Sequence, residues 1–77
     1  MTDVGEVERA LGDAIKKRIL EGSGKLSKVT TVDGVVQVTF LGVTDDEHVF
    51  DTLSGALLDL RLQLGVVPNL DVKIRRK

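Results

Sequence analysis

The feature that most constrains the fold is a helical periodicity that runs through residues 49–64. At about 100° per residue, most of the large apolar side chains in this segment fall on one broad stripe. The stripe comprises Val49, Phe50, Leu53, Ala56, Leu57, Leu60 and Leu64. It predicts an amphipathic helix that buries one face against the rest of the chain. Leu58 and Leu62 lie one turn apart on the opposite side, so we expect them to be exposed.

A second amphipathic segment near the start of the chain predicts a first helix that ends at about Glu21. Asp3 is its expected N-cap, and Glu6 completes a variant of the capping box. We expect Arg18 to cover apolar surface with its stem while its guanidinium reaches water or the last carbonyls. The segment Gly22-Ser23-Gly24 ends this helix. Its apolar face consists of Val4, Val7, Leu11, Ala14, Ile15 and Ile19.

Residues 33–34, Asp-Gly, lie between two β-branched runs at residues 25–32 and 35–41. This arrangement is the strongest short signal for a hairpin with a type I′ turn. A two-residue turn sets the register, and the predicted pairs are Val32–Val35, Val29–Val38 and Ser27–Phe40. The predicted core face carries Val29, Val36, Val38 and Phe40. The opposite face carries Lys28, Thr30, Gln37 and Thr39, and we expect it to be open to solvent.

The end of the chain predicts a third strand, because apolar and charged residues alternate over residues 70–75. Gly65 is the expected C′ residue of the preceding helix, and Pro68 prevents that helix from resuming. The element order is therefore α-β-β-α-β. One-sided strands and one-sided helices imply an α+β fold of two layers, with two helices on one face of a three-stranded mixed sheet. The pattern leaves open whether the third strand lies beside the first or the second.

Composition limits the classes of function. The 77 residues suffice for a single small domain, residues 1–77. The chain has no Cys, and no nucleophile–base pair is recognisable, so we predict no enzyme, no catalytic residue, no cofactor and no bound metal. No apolar run approaches the roughly 20 residues that cross a bilayer. With no signal-peptide pattern either, we expect a cytoplasmic protein that does not contact membranes.

Five short motifs follow one another over nearly the whole chain. They are Val7-Glu8-Arg9-Ala10-Leu11, Gly22-Ser23-Gly24, Val32-Asp33-Gly34-Val35-Val36-Gln37-Val38, Thr52-Leu53 and Val67-Pro68-Asn69-Leu70. In order and spacing they resemble the NifU-like C-terminal domain, the small iron–sulfur scaffold of the Nfu proteins. That family holds its cluster with Gly-Ala-Cys-x-x-Cys after the second strand. Here Thr44 and Glu47 stand at the cysteine positions, and neither replaces a thiolate.

Two other families share this topology. The ribosome-binding factor A type of KH domain also has Val-Thr-Phe-Leu on a strand, as at residues 38–41, and Val-Pro-x-Leu before its last strand. That resemblance implies RNA binding or ribosome assembly as an alternative function. No G-x-x-G loop joins two helices here, so the usual KH clamp on nucleic acid is missing. BON domains, which are associated with envelope and lipid surfaces, normally come with an export signal.

The leading hypothesis is a non-enzymatic protein-binding module, a NifU-like scaffold domain without its cluster site. The resemblance implies an accessory role in metallocluster or metalloprotein assembly. Leu58 and Leu62, with Gly55 one turn before Leu58, predict a packing surface for a protein partner or a second copy of the chain. The loop before the long helix is the second candidate surface, and it comprises Thr44, Asp45, Asp46, Glu47 and His48.

That loop also has simpler interpretations. Thr44 and Glu47 fit a capping box, and acidic residues are favoured at any helix start. An alternative hypothesis has Glu47, His48 and Asp51 bind a cation. A third group of residues is basic and is the candidate for anion or RNA contact: Lys28, Lys73, Arg75, Arg76 and Lys77. Its simpler interpretation is a solubilising strand edge and tail.

Overall fold

Two helices and three strands occur in the predicted order in the computed structural model, which describes residues 4–76. The elements are α1 (Val4–Arg18), β1 (Lys25–Val32), β2 (Val35–Val43), α2 (Asp46–Leu64) and β3 (Asn69–Arg76). The helices pack on each other and on the sheet, which confirms the predicted α+β class. The predicted N-cap of α1, Asp3, lies outside the described residues.

β2 is the central strand of the sheet. It pairs antiparallel with β1 and parallel with β3, so the strand order is β1-β2-β3. This order answers the question that the sequence pattern left open, because the third strand lies beside the second. Parallel neighbours require a crossover connection, and α2 supplies it. Both β1 and β3 are therefore edge strands.

The hairpin turn forms as predicted. At the end of the hairpin far from the turn, however, the pairing of the two strands differs from the predicted register. The turn residues 33–34 have φ values of 52° and 80°, both in the left-handed region that a type I′ turn requires. The predicted pair of Ser27 with Phe40 is wrong, because a bulge between Leu26 and Lys28 places Leu26 opposite Phe40. The bulge turns the side chain of Leu26 to the core and leaves Ser27 exposed.

The core lies between the two helices and one face of the sheet. Phe40 on β2 is its one aromatic side chain and is fully buried. Around it pack side chains from both helices and from the inner face of β2, so three elements share a single core. The buried apolar residues are Leu11, Ala14, Ile15, Val36, Val38, Phe40, Val43, Val49, Leu53, Ala56 and Leu60.

Three residues predicted on core faces are exposed. Ile19 is exposed because α1 ends at Arg18, before the predicted end at Glu21. Val4 is the first residue of α1 and is also exposed. Phe50 lies about 100° around α2 from the buried Val49, so it sits at the edge of the stripe, where the helix surface turns from the sheet to solvent.

Candidate functional site

One face of α2 exposes three large apolar side chains. Phe50, Leu58 and Leu62 are 55%, 54% and 76% exposed. Together with Ser54 they form a single row of residues spaced four apart, and we call this row the α2 outer face. Exposure of Leu58 and Leu62 confirms the prediction for these two residues, whereas Phe50 adds an aromatic side chain that the sequence reasoning had assigned to the core. The inward side of α2 is buried, as predicted, at Val49, Leu53, Ala56 and Leu60.

Gly55 does not belong to the α2 outer face, so this part of the predicted packing surface is wrong. A Cβ atom at Gly55 would lie 2.7 Å from Cδ of Arg18. The missing side chain therefore lets Arg18 of α1 lie across α2. Nε and Nη2 of Arg18 donate to the two carboxylate oxygens of Asp59, at 2.7 and 2.8 Å. This bidentate ion pair joins the end of α1 to the middle of α2.

Thr52 strengthens the same junction between the helices. Its side chain is buried, and its hydroxyl donates to the backbone oxygen of Arg18 at 3.2 Å. The last carbonyls of a helix have no partner within that helix, so a hydroxyl from α2 satisfies one that α1 leaves free. The guanidinium of Arg18, which we expected to reach water or those carbonyls, instead contacts the neighbouring helix.

The Arg18–Asp59 ion pair makes the stability of the protein depend on pH. The hydrogen bond from Arg18 lowers the pKa of Asp59; desolvation opposes this shift, and attraction to Arg18 and Lys17 adds to it. Because the folded-state pKa is the lower one, the pair stabilises the protein fully above the unfolded-state pKa of about 3.9. That contribution is lost as the pH falls through the folded-state value. Stability should therefore fall with acidification below about pH 4.

An Asp59→Asn variant should show a shallower decline in acid, because its side chain no longer titrates. The measurement is urea unfolding followed by circular dichroism at a series of pH values. Asp51→Asn is the matched control, since Asp51 is an exposed carboxylate on the same helix. Equal acid dependence in the two variants would contradict the role given to the Arg18–Asp59 pair.

The start of α2 is capped by Asp45, not by the predicted Thr44. A carboxylate oxygen of Asp45 accepts a hydrogen bond from the Glu47 N–H at 3.0 Å, and the Asp45 backbone is extended. The backbone N–H groups of Thr44 and Asp45 both donate to the carbonyl of Gly22, at 2.9 and 2.8 Å. The segment Gly22-Ser23-Gly24, which we call the glycine turn, thus determines where the chain enters α2.

Two further residues of the loop are engaged inside the protein. Nδ1 of His48 contacts the backbone oxygen of Glu21, and Nε2 lies 3.5 Å from the Asp45 carboxylate. Asp46 accepts a hydrogen bond from Arg76 at 2.5 Å. The side chains of Thr44 and Glu47 remain exposed. The geometry thus gives this loop an anchoring role for α2, and contact with a partner there stays a prediction.

The predicted basic residues divide between two places. Lys28, Lys73 and Arg75 point to the open face of the sheet, on the side away from the helices, because each pairs with a β2 residue of that face. Arg76 lies beyond a register shift and contacts Asp46, so it is not part of this group. Lys77 lies outside the described residues.

Lys25 also lies on the open face, although the residue pattern along β1 does not predict it there. Strict alternation from Val29 puts Lys25 on the core face, but the bulge at Ser27 reverses the alternation before it. Lys25 therefore lies opposite Leu41 on the open face. The signal was present, since an exposed Leu26 beside a buried Lys25 is an unfavourable arrangement that a bulge corrects.

Three further observations bear on the kind of site. No helix in the part of the chain from Val4 to Arg76 is long and apolar enough to span a bilayer. Within the same part, no three His, Asp or Glu side chains come together in an arrangement that could hold a metal ion. Comparison with known protein families, with curated proteins and with solved structures finds no match to this chain.

Proposed function

We propose that the chain is a non-enzymatic protein-binding module whose contact surface is the α2 outer face. The observation that carries the proposal is the exposure of Phe50, Leu58 and Leu62 in one row of a helix whose inward face is buried. Each apolar side chain that a partner covers contributes about 25 cal/mol for every Å² removed from water. Aromatic and large aliphatic side chains at the centre of an interface supply most of its energy.

The surroundings of the row suit a protein partner. Asp51 and Arg61 are exposed on either side of it, so the apolar centre has a charged border. An apolar centre with a polar rim is the usual anatomy of a protein interface. Apolar residues spaced along one helix face are also the pattern by which a helix docks into a groove of another protein.

The resemblance to NifU-like domains supplies the proposed setting, an accessory role in metallocluster or metalloprotein assembly in the cytoplasm. The order and spacing of the five motifs support it, as does the α-β-β-α-β element order. With Thr44 and Glu47 at the cysteine positions, the module acts by contacting other assembly proteins and does not hold the cluster.

Leu58→Asp and Leu62→Asp test the proposal. Each variant places a charge at the centre of the contact, and we expect partner affinity to fall at least about tenfold because an unpaired charge is costly to bury. Both side chains are exposed, so the free energy of unfolding should change by less than about 0.5 kcal/mol. A photo-crosslinking residue in place of Ser54 identifies the bound protein in cells, and calorimetry with that purified protein measures affinity.

Val67→Asp is the matched control, since Val67 is 66% exposed and lies outside α2. It should retain the affinity of the unchanged chain. The proposal is wrong if Leu58→Asp and Leu62→Asp behave like Val67→Asp both in partner affinity and in self-association measured by light scattering.

A further inference from the structure

We propose that the open face of the sheet binds the phosphate backbone of a single nucleic-acid strand. This site lies in the layer opposite the α2 outer face and is independent of the protein-binding function. The evidence is the register of the sheet, which assembles cations from two separate segments of the chain. Two rows of paired residues cross all three strands, Lys28–Thr39–Lys73 and Lys25–Leu41–Arg75. Residues paired across neighbouring strands share a face, so the four cations lie together.

The spacing of these cations suits one extended backbone. Neighbouring strands lie about 4.8 Å apart, so the cations of β1 and β3 form two columns about 10 Å apart, one on each side of β2. Successive residues on one face of a strand are about 7 Å apart. A phosphate chain that runs along β2 therefore has a cation within reach on both sides. All four side chains are exposed, and no ion pair formed among residues 4–76 uses them.

The surface between the two columns consists of Thr39 and Leu41 and has no aromatic side chain. The Thr39 hydroxyl lies between the columns, and the next row toward the hairpin turn adds Thr30 and Gln37 beside Asp71. Hydroxyl and amide groups are typical donors to phosphate oxygens. Neither phenylalanine of the chain reaches this face, because Phe40 is buried in the core and Phe50 lies on α2. Without a stacking platform for bases, the site contacts phosphates only, and its binding is independent of base sequence.

The distribution of charge argues against simple protection of the sheet edges. Lysines that discourage edge-to-edge pairing serve that purpose anywhere along an edge strand. Here the cations are confined to the end of the open face that is far from the hairpin turn. The two rows nearer the turn, Val32–Val35–Asn69 and Thr30–Gln37–Asp71, contain no cation. The site also does not depend on the G-x-x-G clamp of KH domains, which the chain lacks.

The test measures binding of a fluorescein-labelled oligouridylate of about twelve nucleotides by fluorescence anisotropy over a range of KCl concentrations. Four phosphate contacts predict a slope of log K against log salt of about −2.8, a loss of about 50-fold between 50 and 200 mM. Lys73→Gln and Arg75→Gln should each reduce the magnitude of this slope by about 0.7. An oligoadenylate of the same length should bind with similar affinity.

Arg61→Gln is the matched control, because it removes the same charge from the opposite layer, and it should leave the slope unchanged. Leu58→Asp should also leave it unchanged, which separates this site from the protein-binding surface. Circular dichroism verifies that each variant is folded. Absence of binding at about 20 mM KCl would overturn the proposal, as would equal effects of Arg61→Gln and Lys73→Gln. Equally effective competition by polyglutamate would overturn it too, in favour of an acidic protein segment.

Discussion

Replacement of Phe40 by alanine is expected to leave much of the protein unfolded in the absence of denaturant. Phe40 is fully buried on the central strand, where Leu26 and Ile74 flank it on the neighbouring strands. Truncating a buried phenylalanine costs about 3–5 kcal/mol, for lost transfer free energy and the cavity left behind. A single core of this size supplies a net stability of only about 3–5 kcal/mol. Urea unfolding followed by circular dichroism should therefore give a midpoint near zero denaturant.

Phe50→Ala is the matched control for this experiment. It removes the same atoms from a side chain that is 55% exposed, so we expect the free energy of unfolding to change by less than about 1 kcal/mol. The unfolding midpoint of Phe50→Ala should stay close to that of the unchanged chain. Similar losses in the two variants would mean that the core is not centred on Phe40.

Replacement of Gly24 by alanine is the second change with a large expected effect. A Cβ atom at Gly24 would lie 2.1 Å from the carbonyl oxygen of Leu41, a backbone atom of β2. The glycine turn would have to move away from the sheet, and its contacts with the start of α2 would be lost. Gly24 also has a φ of +71°, which costs a residue with a side chain about 1–2 kcal/mol more. We expect a total loss of about 3 kcal/mol or more.

Gly34→Ala separates the collision from the backbone strain. Gly34 has a φ of +80° in the hairpin turn, but no atom lies within 4 Å of a Cβ built there. This variant carries the conformational cost alone, about 1–2 kcal/mol. The unfolding free energies of both variants come from the same urea titration. Should Gly24→Ala prove no more destabilising than Gly34→Ala, the close approach of the glycine turn to β2 would be disproved.

Features that depend on residues close together in the chain could be predicted from the sequence. The end of α2 is an example, because Gly65 adopts a φ of +69° and its N–H bonds to the carbonyl of Arg61 at 2.9 Å, as the position of a glycine after the apolar stripe predicts. The exposure of Leu58 and Leu62 is another, since a helix on a two-layer fold has one buried face.

The wrong predictions concern places where two segments that are distant in the sequence come into contact. Thr44 and Asp45 are both good caps by residue type, and the hydrogen bonds from their N–H groups to Gly22 determine which one caps the helix. The position of Gly55 one turn before Leu58 indicated a packing surface. The side chain that lies over Gly55 is instead that of Arg18, 37 positions earlier in the chain. No local pattern indicates which side chain will occupy the space above a glycine.

The same distinction between local pattern and contacts between distant segments applies to the residues of the two candidate sites. The α2 outer face follows from helical periodicity, apart from Phe50, which periodicity assigns to the edge of the apolar stripe and which is exposed. The cation rows on the open face follow from the bulge at Ser27 and from the pairing of β3 with β2. The alternation of residues along one strand does not show that Lys25 lies in the same row as Arg75.

Residue patterns were sufficient for the number, type and order of the elements and for the class of fold. The reason is that helical and strand periodicities, turns and caps arise within a few residues of the chain. Contacts between elements determine the position of β3 in the sheet, the strand register near Lys25 and the side chains that surround Gly55. Periodicity gives the direction of a side chain around its own axis, whereas burial and pairing depend on which other segment lies in that direction.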